Sequence, residues 1–129
     1  MKRYLTTVLF IVFFGCFLQP VKSQDAVKMA GSVYQKLMEN ERVRLLKMDF
    51  QPEERTILHF HPDHLLYALE GGKMAITDTT GSNATVIELD AGDYHWFKGG
   101  KHSIVNIGTT TISAIVVELN EPAAIKPEE

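Results

Sequence analysis

Cysteine is nearly absent from this chain of 129 residues: Cys16 is the only one, and it stands inside an apolar stretch near the start. One cysteine cannot close a disulfide within the chain or build a thiolate metal site, so stability has to come from packing, helped at most by a metal held by other side chains. An excess of cations is also missing. Lys and Arg together number 13 against 16 Asp and Glu, a net charge of −3, and that balance excludes the basic footprint that a nucleic-acid partner requires. No apolar run reaches the roughly 20 residues of a membrane-spanning helix. Internal repeats, low-complexity tracts, heptads, a Ser-His-Asp elbow and a phosphate-binding glycine loop are all lacking, and the pairs Gly71-Gly72 and Gly99-Gly100 read as turns.

The start of the chain has the three parts of an export signal. Met1, Lys2 and Arg3 are followed by an almost uncharged apolar run from Tyr4 to Leu18, then by Gln19, Pro20, Val21, Lys22 and Ser23. This order predicts a signal peptide over residues 1–23, cut near Ser23, and an exported protein, periplasmic or extracellular, with no membrane partner once the signal is removed. Retention of the run as a membrane anchor is one alternative. A lipid anchor through Cys16 is another, because Phe13-Phe14-Gly15-Cys16 loosely resembles a lipoprotein cleavage box, although the apolar run continues through Phe17 and Leu18. Removal of 1–23 takes away Lys2, Arg3 and Lys22 and no acid, which shifts the net charge from −3 to −6. Residues 24–129 suffice for one domain that buries roughly two-thirds of its unfolded surface, and not for two.

From Val33 onward, short apolar stretches alternate with turn-rich joints. These include Gln51-Pro52-Glu53-Glu54, Gly71-Gly72, Asp78-Thr79-Thr80-Gly81-Ser82, Asp90-Ala91-Gly92-Asp93 and Lys98-Gly99-Gly100-Lys101. Joints about ten residues apart mark an all-β sandwich or barrel. The strands predicted are Val43 to Phe50, Thr56 to His61, His64 to Leu69, Lys73 to Thr77, Thr85 to Leu89, Tyr94 to Phe97, Ser103 to Ile107 and Thr110 to Leu119. Ahead of them, Asp25 to Leu37 reads as an extended arm ending in a hairpin around Asn40, although Val27, Met29, Ala30 and Val33 have loosely helical spacing. Residues 24–41 are then an N-terminal arm and hairpin, 42–119 the β-barrel, and 120–129, with Pro122 and Pro127, a flexible tail.

All five histidines fall between positions 59 and 102, three of them within His59-Phe60-His61-Pro62-Asp63-His64. A strand sends alternate side chains to one face, so His59 and His61 point together and Phe60 points away. After the corner at Pro62 and Asp63, His64 opens the next strand with Leu66 and Ala68 on its own face, where an antiparallel neighbour brings a third ring near the first two. His102 follows a glycine turn and joins them only if its strand lies beside Thr56 to His61. Rings this crowded are costly unless something bridges them, and neutral imidazole suits zinc, copper, iron or nickel. His95 shares a face with Phe97 and is either a pocket group or partly exposed; Trp96, on the opposite face, reads as core.

These residues carry a family resemblance. Pro52 to Gly71, with the two histidines His59 and His61 and the stretch Tyr67-Ala68-Leu69-Glu70-Gly71, resembles the first motif of the cupin superfamily. Gly92 to Asn106, ending in His102-x3-Asn106, resembles the second, and Glu39 to Arg44 is similar to a hairpin common in small bacterial cupins. The resemblance implies an all-β, single-domain jelly-roll β-barrel. It also implies one divalent metal ion (Fe, Mn, Ni, Cu or Zn) held by His59, His61 and His102, and a homodimer. At the position of the family's usual glutamate ligand this chain has His64, which removes a negative charge from the ligand set and suits softer ions. The second motif departs too, with Lys98 where proline is usual and one residue fewer before the histidine. His59-x-His61-x-Asp63-His64 also fits the metallo-β-lactamase signature, but that fold needs roughly twice this length and further ligands downstream.

Two classes of function follow. The preferred reading is an exported metal-binding protein that binds a small molecule or the metal without turnover, or has an unassigned activity. The alternative is a metal-dependent dioxygenase, isomerase or lyase acting on a small organic substrate. Glu53, Glu54 and Glu70 are the acids nearest the histidines in sequence, Glu70 on the face of His64 by parity, and no general base is identifiable among them. An apolar cavity lined by Leu66, Ala68, Ile104 and Met74 favours binding, and a further inward polar group beside the histidines favours catalysis.

Overall fold

A computed structural model describes residues 24–120, and the expected signal peptide over 1–23 and all but the first residue of the expected tail lie outside them. Among the described residues, no helix is long and apolar enough to cross a membrane. The elements in chain order are α1 (Ala26–Met29), β1 (Tyr34–Glu39), β2 (Val43–Phe50), β3 (His59–His61), β4 (His64–Glu70), β5 (Gly72–Asp78), β6 (Ala84–Leu89), β7 (Tyr94–Phe97), β8 (Gly100–Asn106) and β9 (Ile112–Leu119). They form two antiparallel sheets, one ordered β1-β2-β9-β4-β7 and the other β3-β8-β5-β6. This is a jelly-roll arrangement.

Strand period two builds the core. On β2, Leu46, Met48 and Phe50 face inward; on β9, Ile112, Ala114 and Val116 do the same, and all are buried. The register sets them opposite one another as Leu46↔Val116, Met48↔Ala114 and Phe50↔Ile112. β4 continues two of these rungs with Leu66↔Val116 and Ala68↔Ala114. The next rung is different: Arg44↔Glu118↔His64, continued by Phe97 on β7. One end of the barrel is therefore apolar and the other polar, on the same inward face. At the apolar end the Asn106 amide donates to the Phe50 and Thr110 carbonyls, both at 2.9 Å, so the asparagine of the second motif fastens β8 to β2 and the following loop.

Three expectations are corrected. The strand that His64 opens is not an antiparallel neighbour of the strand before it: β3 and β4 belong to different sheets, so His64 comes to the other histidines from across the barrel. Trp96 is not core. It stands with Tyr94 on the outer face of the edge strand β7 and is 49% exposed, because His95 and Phe97 take the inward parity opposite Leu66 and His64. The arm is not wholly extended, since Asp25 caps one helical turn at Ala26–Met29 before β1 begins as an edge strand.

The close approach of β4–β5 to β6 sets a test of packing. A Cβ on Gly71 would lie 2.9 Å from the Asp90 Cα and closer still to the Leu89 carbonyl oxygen, whereas a Cβ on Gly100 would meet nothing within 4 Å. Gly71→Ala is expected to lower the urea unfolding free energy by about 1–3 kcal/mol and Gly100→Ala by much less. Equal losses would show that the backbone contact at Gly71 is not limiting.

Candidate metal centre

Two strands of one sheet and one of the other bring the histidines together. β3 pairs with β8 in the register His59↔His102 and His61↔Gly100, which meets the condition the sequence set for His102. The ring centroids of His59 and His102 lie 4.8 Å apart, those of His59 and His61 4.9 Å, and those of His61 and His102 5.3 Å. Each of these three offers a nitrogen within 4.8 Å of the others. His64 flanks this group, its ring 4.7 Å from His61 and 6.4 Å from His102 and stacked on Phe97. Tyr34 closes the wall with its ring 4.9 Å from His61 and 5.5 Å from His59.

Three of the rings are oriented through Nδ1. His59 Nδ1 meets the Ile57 carbonyl at 2.9 Å, and His64 Nδ1 meets the Pro62 carbonyl at 2.8 Å. A carbonyl accepts and never donates, so in both rings Nδ1 carries the proton and Nε2 holds the free lone pair. His61 Nδ1 meets Glu118 Oε1 at 2.5 Å, and the carboxylate sets the same tautomer. The Nε2 atoms of His59 and His61 are buried with no hydrogen-bond partner. Buried polar atoms are rarely left so, and a ring nitrogen with a free lone pair is a donor in want of an acceptor of electron pairs. The residues therefore fit a metal ion.

Glu118 is not among the acids that the sequence singles out. Glu53 and Glu70 are exposed, and Glu54 is tied into its own turn by the Gln51 N–H. Glu118 is fully buried, and its second oxygen accepts from the Arg44 guanidinium. Its one sequence signal is parity: it follows Ile112, Ala114 and Val116 at period two on an inward face. Asp63 serves a turn, accepting from the Gly99 N–H at 2.6 Å, and His95 is exposed at the mouth with its ring 4.5 Å from Phe97. The cavity that touches His64 and His102 is walled by Leu66, Met74, Ile104, Val116 and Phe97, and its volume of about 10 Å³ is near that of one water molecule.

Burial governs the charges. It lowers His59 to about 4 and His64 to about 4, with the nearness of His61 adding to both, and His102 to about 3, where the other three histidines add to it. Burial alone would raise the Glu118 carboxyl, but hydrogen bonds from His61 and Arg44 outweigh it and hold that group below its ordinary value. Burial first, then the Glu118 charge, keeps the Tyr34 phenol well above its usual range. At neutral pH His59, His64 and His102 are thus uncharged and Glu118 is ionised. Unfolded histidines titrate near 6.5, so below that pH the unfolded chain takes up protons that these three folded rings refuse, and stability falls with acid. The melting temperature of metal-free protein is expected to be level above about pH 6.5 and to drop between 6.5 and 4. A profile level throughout that window would contradict neutral, buried rings.

No protein-family model matches the chain, and no curated protein matches it. Solved structures do. A cupin domain from Bordetella pertussis Tohama I is similar with a TM-score of 0.61 and 21% identity, over 69% of this chain and 93% of that one. An RmlC-like cupin family protein with a double-stranded β-helix fold, from Methanocaldococcus jannaschii, has a TM-score of 0.53 and 18% identity, over 67% and 78%. The polyketide cyclase RemF from Streptomyces resistomycificus has a TM-score of 0.51 and 24% identity, over 74% and 72%. Two antiparallel sheets in jelly-roll order agree with these neighbours: this chain has the fold of a small, single-domain cupin.

Proposed function

We propose that this chain is an exported metal-binding cupin in which His59, His61 and His102 hold one divalent ion through Nε2, with His64 as the fourth donor. The observation that carries the reading is the pair of buried, unpartnered Nε2 atoms on His59 and His61, each on a ring whose Nδ1 is already committed. An all-imidazole set brings no charge of its own, and such sets suit Fe, Ni, Cu or Zn more than magnesium or calcium. Glu118 offsets part of the ion's charge from one bond further out, as carboxylates behind metal-bound imidazoles do.

Binding without turnover is the better-supported role. The cavity beside the rings is nearly filled by apolar side chains. Among the described residues, the acid that reaches the cluster, Glu118, is engaged at both oxygens and is not free to take a proton from a substrate. The second reading, a metal-dependent enzyme, draws on the cyclase among the structural neighbours. A bound ion with an open position would supply Lewis-acid or oxygen chemistry there.

Elemental analysis of tag-free protein reconstituted with Fe, Mn, Ni, Cu or Zn is expected to find one ion per chain in the wild type and none held stoichiometrically by His59→Ala or His102→Ala. His64→Ala is expected to weaken binding without abolishing it. Failure of all five metals to load the wild type would sink the metal reading. Oxygen consumption with a panel of small acids and phenols separates the two roles: turnover of any of them would replace the binder by the enzyme.

A further inference from the structure

The chain of contacts that begins at His61 continues past Glu118 to the N-terminal segment. Arg44, which donates to Glu118, also reaches Asp25, with Nη1 2.6 Å from Oδ2. The other Asp25 oxygen accepts from the backbone N–H of Val27 at 3.1 Å and of Lys28 at 3.4 Å, capping α1. The backbone of the same residue makes a parallel bridge to Phe60, whose N–H donates to the Gln24 carbonyl at 2.6 Å. Phe60 stands between His59 and His61. Because β3 is only three residues long and is an edge strand, paired with β8 alone among the strands, residues 24–25 are its neighbours on the open side.

Farther along, Ala26, Ala30, Val33 and Tyr34 are buried, and the Tyr34 ring packs on both histidines of β3. Residues 24–34 therefore hold the site at three points: the backbone between His59 and His61, the two imidazole rings, and Glu118 by way of Arg44. The segment borders a cleft of about 580 Å³ lined by Asp25, Lys28, Arg44, Phe60 and Glu118.

We infer that residues 24–34 are a strap whose docking is coupled to metal binding, and that Asp25 is a positioning residue acting on His61 through Arg44 and Glu118. The inference rests on the metal reading above. With both carboxylates present, the guanidinium is held between Asp25 and Glu118; this fixes Glu118 and, through it, the tautomer and angle of His61. Without the Asp25 charge, Arg44 has one anionic partner instead of two and Glu118 loses its fixed anchor. Coupling is reciprocal: if the docked strap raises metal affinity by some factor, the bound metal favours the docked strap by the same factor. A strap that only stabilised the fold would not respond to the metal.

Asp25→Asn is the informative substitution, because an asparagine oxygen still caps α1 while the charge is removed. In cobalt(II) titrations of the full chain, this variant is expected to bind about tenfold more weakly than the wild type, the scale of effect seen for groups behind metal ligands. Amide hydrogen exchange of the wild type is expected to slow on cobalt loading at Phe60 and at Ala30, Val33 and Tyr34, whose N–H groups bond within or to the strap. Unchanged affinity in Asp25→Asn overturns the positioning role. Unchanged exchange at those amides on loading overturns the coupling, and this needs no variant, so it decides the matter even if Asp25→Asn does not fold. A wild type that binds neither cobalt nor any of Fe, Mn, Ni, Cu and Zn overturns the metal reading and the strap with it; a wild type that binds one of them while its strap is indifferent overturns the strap alone.

Discussion

Burial of the Glu118 carboxylate is tolerable only because Arg44 and His61 meet its two oxygens. An ionised carboxylate removed from water without partners would cost several kcal/mol or more, and the usual escape is to take up a proton. Here the hydrogen bonds outweigh burial, and the group stays charged. The contact also joins the sheets. Glu118 is on β9 of the five-stranded sheet and His61 on β3 of the four-stranded one, so the polar end of the barrel is closed by a charge-assisted hydrogen bond where the rest is closed by packing.

The histidine rings depend on that closure. His59 and His64 take their orientation from carbonyls two residues away in sequence, a local matter settled by β3 and the Pro62 corner. His61 has no such carbonyl and borrows its orientation from a residue 57 positions away. The opposite end of the barrel shows what the site end has given up. There Leu46, Met48, Phe50 and Ile112 fill the space and Asn106 fastens the strands, with no charge buried. An arginine, a glutamate and four imidazoles at one end are poor material for a core, and their gathering there is hard to explain by stability alone.

Much of the fold was legible in the chain. Joints about ten residues apart predicted strands that the structure reproduces within a few residues, with β2 and β7 at the bounds expected. Alternation placed His59 and His61 on one face, and the likeness of Gly92 to Asn106 to the second cupin motif pointed to His102. The corner at Pro62 and Asp63 was ambiguous, because two residues serve equally for a hairpin and for a crossing between sheets. Trp96 misled for a related reason: parity ties it to Tyr94 but does not say which face of an edge strand looks inward. The helical turn after Asp25 is too short to leave a periodic signal.

The sequence by itself determined which side chains share a strand face, since a period of two follows from backbone geometry within a few residues. It also determined that His59 and His61 converge and that β9 carries an acid in line with its apolar residues. Only the tertiary structure decided which faces meet. That Glu118 would stand between Arg44 and His64 in one sheet and against His61 of the other depends on pairings among segments far apart in the chain. No local property encodes those pairings, because they are chosen by the packing of the whole barrel.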